Sequence, residues 1–167
     1  MAYAVGSNNR KENFMPVKKL KEFLDQEKIK YVSIVHSPAY TAQEVAASAH
    51  ITGRELAKTV IVLLDGQMAM AVLPADRKII LQDLREVTGS DQVKFVAEDD
   101  FKKKFPDCET GAMPPFGNLY GMEVLVAASL GANEQIAFNA GSHTEVIKLA
   151  YADFERLVKP KVVSFTT

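Results

Sequence analysis

The chain has 167 residues, 47% hydrophobic and 25% charged, which supports one packed core and excludes a disordered, fibrous or low-complexity protein. A formal net charge of −1 gives no global pull toward nucleic acid, so an RNA partner has to be met locally. The single cysteine, Cys108, excludes an internal disulfide and any multi-cysteine metal site.

Residues 1–14 are polar and read as a flexible N-terminal arm ahead of one domain spanning 15–167. This segment lacks the apolar stretch of a secretory signal, so a cytoplasmic protein is expected. Val17, Leu20, Phe23 and Leu24 recur at helical spacing after Pro16, a favoured first-turn residue. Tyr31 to Val35 is β-branched and aromatic, a strand closed by Ser37-Pro38. Thr41-Ala42-Gln43-Glu44 fits a capping box, opening a helix that runs to about His50 and stops at Gly53.

Lys58 to Leu64 and Gln67 to Leu73 are apolar on both faces and joined by Asp65-Gly66, the pattern of a central β-hairpin. The same Asp-Gly breaks the best apolar run, short of the ~20 residues a membrane span needs. Lys78 to Leu81 reads as a short strand, before a helix that carries Leu84 and Val87 and ends at Gly89. Val93 to Val96 is another strand. Glu98, Asp99 and Asp100 then open a helix that closes with Lys102 to Lys104 before Pro106, acids first and bases last as the helix dipole favours.

Pro106 to Leu119 is a long loop, followed by strands at Met122 to Ala127, Gln135 to Phe138 and Thr144 to Leu149. Tyr151, Phe154, Leu157 and Val158 mark a last amphipathic helix, and Val162 to Phe165 a possible edge strand. Strands outnumber helices, so the expected fold is α+β. We expect a single domain with a mixed, mostly antiparallel sheet or partly closed barrel wrapped by helices.

The common catalytic and nucleotide-binding signatures are missing. His36, His50, His143 and Cys108 lie far apart in the chain, so no metal and no cofactor is expected. Asp107 and Glu109 flank Cys108 and raise its pKa, which favours a spectator over a nucleophile. The basic groups Lys18, Lys19, Lys21 and Lys102 to Lys104 are explained by a solvated helix face and a helix end.

Three places remain. Lys58 puts a charge at the mouth of the most apolar strand, where it either snorkels to solvent or faces an anion or carbonyl. Gly111-Ala112-Met113-Pro114-Pro115-Phe116-Gly117 is a stiff loop whose prolines fix the backbone and whose glycines permit close approach. It suits a binding wall or a structural loop. Asn139-Ala140-Gly141-Ser142-His143-Thr144 is a small polar turn in which His143 is a proton carrier or a hydrogen-bonded turn residue.

Taken in order, Thr41-Ala42-Gln43-Glu44, Leu56-Ala57-Lys58-Thr59-Val60, the Gly111–Gly117 loop and Asn139-Ala140-Gly141-Ser142-His143 resemble the YbaK family. This family is also called the prolyl-tRNA synthetase-associated (insertion-type) editing domain, and the likeness spans about residues 16 to 160. The resemblance implies a free-standing hydrolase that cleaves the ester between a wrong amino acid and its tRNA, a translation-fidelity role. Lys58, Gly111 and His143 fall on the family's catalytic positions. Tyr40, Met113, Pro114, Pro115, Gly117, Asn139, Gly141 and Ser142 are the expected substrate contacts. The implied partner is the acceptor end of an aminoacyl-tRNA, with delivery by a synthetase or an elongation factor left open. A non-catalytic tRNA, nucleic-acid or protein binding module of the same fold is the alternative.

The chemistry fits such a site. An aminoacyl ester is already activated, and the vicinal ribose hydroxyl assists an attacking water, so no nucleophilic serine or cysteine is needed. The protein has to supply donors at the carbonyl oxygen, a cation and a pocket selective by size. A synthetase pocket separates one methylene by only ~1–3 kcal/mol, which gives such a hydrolase its purpose.

Overall fold

The computed structural model describes residues 16–167, so the expected arm at 1–14 lies outside the described residues. Helix α1 (Pro16–Gln26) follows Pro16 as expected and buries Leu20 and Leu24 completely. Strand β1 (Tyr31–Val35) comes next, then α2 (Ala42–Ala49). The capping box of α2 is present: the Glu44 N–H donates to Thr41 Oγ1 at 3.1 Å and the Thr41 N–H to Glu44 Oε1 at 3.1 Å. The helix ends earlier than Gly53, because His50 itself adopts the left-handed conformation (φ 57°) and closes it.

Strands β2 (Leu56–Leu64) and β3 (Gln67–Pro74) form the expected hairpin. Asp65 and Gly66 both have positive φ, 49° and 87°, the backbone of a two-residue turn that matches strand twist. The strand expected at Lys78 to Leu81 does not form. Ile79 makes one isolated bridge to Thr166, and Leu81 already begins α3 (Leu81–Thr88), which ends at Gly89 with φ 67°.

Strand β4 (Val93–Phe95) pairs with β2, and α4 (Glu98–Phe101) is a single turn continued by a 3₁₀ turn over Lys102–Lys104. The remaining elements are β5 (Glu123–Ala127), β6 (Gln135–Asn139), β7 (Glu145–Ala150), α5 (Tyr151–Val158) and β8 (Lys161–Val163).

The strands make one open mixed sheet in the order β1-β7-β6-β2-β3-β5-β8, with β4 beside β2. The fold is α+β and the sheet is not closed into a barrel. β2 pairs in parallel with β6, and β3 with β5, so the hairpin sits at the centre, covered on both faces. One face carries the main core, where Leu20 and Leu24 of α1, Phe154 of α5, Phe116 and Phe138 meet Ala57, Ile61, Met70 and Val72. The other face carries two smaller clusters. One lies under α2 and includes Leu56, Ala137 and Val146; the other lies under α3 and includes Val62, Leu73 and Leu125. Side chains alternate along a strand, so Lys58 shares the face of Leu56 and Val62 and stands between these two clusters.

Candidate active site

Lys58 is the charge that this apolar strand carries into the sheet. It is half-buried, and among the described residues its ammonium makes no hydrogen bond and no ion pair. Burial pushes its pKa below the ordinary lysine value, the like charge of Lys78 pushes the same way, and Asp76 opposes both. Residues Leu56 and Ala57 stand opposite Ala137 and Phe138 on β6, so one step further Lys58 lies beside Asn139, where β6 ends.

The turn after Asn139 is bound to the long loop. Gly141, at φ 98°, donates its N–H to Ala112 O at 2.9 Å, and the Glu109 N–H donates to Gly141 O at 2.9 Å. His143 is held by the same loop: its N–H donates to Glu109 Oε2 at 3.2 Å and its Nε2 lies 3.0 Å from Thr110 O. Glu109 Oε2 is also 3.7 Å from Nε2. Gly111 adopts φ +88° and faces the ring, since a Cβ there would lie 3.8 Å from His143 Cε1. A side chain at this exposed position would be strained by the positive φ and would rest in van der Waals contact with the imidazole.

A third segment, between β1 and α2, closes the junction. The His36 N–H donates to Thr144 O at 2.8 Å and the Ala39 N–H to His143 O at 3.1 Å. Tyr40, 70% exposed, lays its ring on that of His143 with centroids 4.8 Å apart. The capping box fixes α2 immediately after Tyr40, which is how a local sequence signal positions a ring at the site.

Buried polar atoms without partners gather here. His36 Nε2, Asn139 Oδ1 and His143 Nδ1 are all shut from solvent with no hydrogen bond among the described residues. Each such atom costs about 1–3 kcal/mol of desolvation. Thr59 Oγ1 is a fourth, on the opposite face of β2 from Lys58.

The structure thus joins Tyr40, Gly111, Asn139, Gly141 and His143, with Ser142 hydrogen-bonded to Thr144 at 3.2 Å and Lys58 on the neighbouring strand. The rest of the long loop goes inward. Met113 belongs to the main core and Pro114 and Pro115 are buried. Gly117 is packed so tightly that a Cβ would sit 2.3 Å from Met122 O. His36 was not among the expected site residues; a lone histidine before Ser-Pro gives no signal until the fold sets it against Thr144.

Cys108 is half-buried, and burial pushes its thiol up to about 11 despite a 3.5 Å contact with Tyr120 Oη. It is no nucleophile at neutral pH. Two of the basic residues read as a solvated face are engaged instead. Lys19 donates to Leu119 O at 2.9 Å and covers the Tyr120 ring, while Lys21 pairs with Glu145 at 2.8 Å. Lys102 pairs with Asp99 at 3.0 Å, as a helix-end charge should. A cleft of about 540 Å³ lies at the other end of the β2–β3 hairpin, lined by Gly66, Lys104 and Tyr120 among others, and shares no residue with this junction.

A family model described as an aminoacyl-tRNA editing domain matches residues 36–157, which hold every residue of the junction. The chain belongs to the aminoacyl-tRNA editing domain family. It is 30% identical over 143 residues to the prolyl-tRNA editing protein ProX of Acetoanaerobium sticklandii, covering 81% of this chain and 86% of that protein. Over 100 residues it is 28% identical to the multifunctional Ser/Thr-tRNA deacylase ProXp-y of Escherichia coli K12, covering 59% of each. Among solved structures, the hypothetical protein APE2540 superposes with a TM-score of 0.80 at 18% identity, over 89% of this chain and 99% of that one. A candidate trans-editing enzyme for prolyl tRNA synthetase gives 0.76 at 13% identity, over 91% and 97%. These two likenesses show the fold.

Proposed function

We propose that this editing-domain protein is an aminoacyl-tRNA deacylase that acts in trans, releasing a wrong amino acid from the acceptor end of a tRNA. The observation that carries this reading is Lys58, a half-buried cation that makes no ion pair or hydrogen bond among the described residues and has only the longer-range charge of Asp76 opposite it, standing beside a junction of unpartnered polar atoms. Nature keeps such a charge at a cost in stability, so it has an anionic or strongly polar ligand to meet. The terminal phosphate or the ester carbonyl of an aminoacyl-tRNA supplies one.

In this reading water attacks the ester carbonyl carbon and forms the new C–O bond, the vicinal ribose hydroxyl assisting. The ribose oxygen then leaves and takes up the proton, giving free amino acid and uncharged tRNA. Lys58 anchors the phosphate or polarises the carbonyl. The Gly111 N–H, which has no partner among the described residues, offers a donor to the oxyanion. His143 orients the ribose or the water. No covalent intermediate is required, in keeping with the high pKa of the Cys108 thiol.

The test is a panel of tRNAs carrying Ala, Ser, Thr, Cys or Pro, incubated with wild type and with Lys58→Ala. Rapid loss of one or two esters, abolished by the substitution while the protein stays folded, is the expected result. A folded wild-type protein that hydrolyses none of them, yet still binds tRNA, overturns the enzyme reading in favour of a binding module.

A further inference from the structure

The unpartnered atoms at the junction share a chemical character. His36 Nδ1 lies 2.8 Å from Ser37 O, and His143 Nε2 lies 3.0 Å from Thr110 O. A carbonyl oxygen only accepts, so in each neutral ring the bonded nitrogen carries the hydrogen and the opposite nitrogen is a bare lone pair. The two bare nitrogens, His36 Nε2 and His143 Nδ1, are the orphaned ones, and Asn139 Oδ1 is a third acceptor. The histidines are only 8% and 9% exposed. They lie on segments tied together by the His36–Thr144 and Ala39–His143 backbone bonds, with Asn139 opposite Val146 on the adjoining strand. Three buried acceptors that no donor meets among the described residues make this junction suited to receive donors.

We propose that His36, His143 and Asn139 form an acceptor set that binds a hydrogen-bond donor group at the end of the substrate, the α-ammonium of the amino acid or a ribose hydroxyl. The inference rests on the deacylase reading and adds His36 to its site. Tyr40, the exposed ring tilted 51° against His143, is the side chain a ligand displaces to reach that nitrogen. Lys58 and the acceptor set then divide the work: the cation meets the anionic or carbonyl oxygen, and the acceptors meet the donor.

The geometry gives a test that a structural role fails in the opposite sense. Glutamine places its amide near the Nε2 position of histidine and asparagine near Nδ1. At His36 the free acceptor is Nε2, so both variants lose kcat/KM but His36→Asn loses at least tenfold more than His36→Gln. At His143 the free acceptor is Nδ1, so both variants lose kcat/KM but His143→Gln loses at least tenfold more than His143→Asn. Were these rings merely bracing Ser37 and Thr110, the order would reverse at both positions. Reversal, or equal losses from Asn and Gln in folded variants, overturns the proposal.

The source of the donor, and any failure of the variants to fold, is addressed on the wild-type protein with modified substrates. N-acetylation of the ester's amino group lowers kcat/KM tenfold or more if the ammonium is bound. A tRNA ending in 2′-deoxyadenosine binds at least tenfold more weakly, judged by competition with uncharged tRNA, if the hydroxyl is bound. Neither effect, with the unmodified ester still hydrolysed, overturns the acceptor set and leaves the deacylase reading standing. No hydrolysis of the unmodified ester is failure of that reading itself.

Discussion

Replacing Gly117 by alanine distinguishes a glycine that the fold needs from one that the site needs. The added Cβ would lie 2.3 Å from Met122 O, 2.6 Å from Val124 Cγ2 and 3.1 Å from Met122 C. Two of these atoms are backbone, and Met122 is itself tied to Gly117 by an N–H···O bond of 2.9 Å. The neighbour therefore cannot swing aside as a flexible side chain would. Overpacking of this kind costs about 1–3 kcal/mol, and with backbone on the far side the upper end applies, ~3 kcal/mol. For a chain of this size that lowers Tm by roughly 6–12 °C. Gly111→Ala meets only a 3.8 Å contact and a positive φ, so it costs about 1–2 kcal/mol of stability but places a methyl against His143. Urea unfolding followed by circular dichroism, run beside a deacylation assay, separates the two. Gly117→Ala should lose about 3 kcal/mol and keep kcat/KM on the folded fraction, whereas Gly111→Ala should lose about 1–2 kcal/mol and also lose kcat/KM on the folded fraction. A Gly117→Ala protein destabilised by less than 1 kcal/mol would refute the packing argument.

Other substitutions have equally direct consequences. Thr41→Ala removes the hydroxyl that caps α2 and should cost ~1 kcal/mol in urea unfolding, with a rise in KM because Tyr40 loses its anchor. Lys58→Met removes a half-buried charge that makes no ion pair among the described residues and should raise stability by roughly 0.5–1 kcal/mol while activity falls, a combination that thermal melts and kinetics reveal together. The Cys108 thiol, pushed up to about 11, should resist iodoacetamide at pH 7.5 in the native state and react once unfolded. Because its folded pKa is raised, the stability it contributes is full below the ordinary thiol value of about 8.5 and is lost as pH rises toward about 11. That loss should be absent in Cys108→Ala.

The local signals in the sequence were the legible ones. Asp65-Gly66 between two apolar runs specified the hairpin, and Thr41 with Glu44 specified the start of α2, because both are settled by a few neighbouring atoms. Local rules also explain the misses. His50 took the left-handed cap that Gly53 was expected to supply, and Lys78 to Leu81 lost its strand to the first turn of α3. Lys19 and Lys21 looked solvated until Tyr120 and Glu145, far away along the chain, came beside them. The site divides in the same way. Lys58 stood out as a charge in an apolar strand, but only the parallel pairing of β2 with β6 brings it beside Asn139. The long loop read as a binding wall or a structural loop, and the structure divides it: Gly111 faces His143 and Met113 to Gly117 turn into the core or pack on it. His36 could be found only from its buried, partnerless nitrogen, which is a property of the folded chain.

The measurement that bears most directly on the central claim is the single-turnover hydrolysis of the preferred mischarged tRNA by wild type and Lys58→Ala, both verified as folded by circular dichroism. The account predicts a loss of 10²-fold or more on substitution, the scale of removing a group that stabilises the transition state. Hydrolysis by Lys58→Ala at the wild-type rate would contradict it, because the charge that the fold holds half-buried with no ion pair among the described residues would then have no part in the reaction.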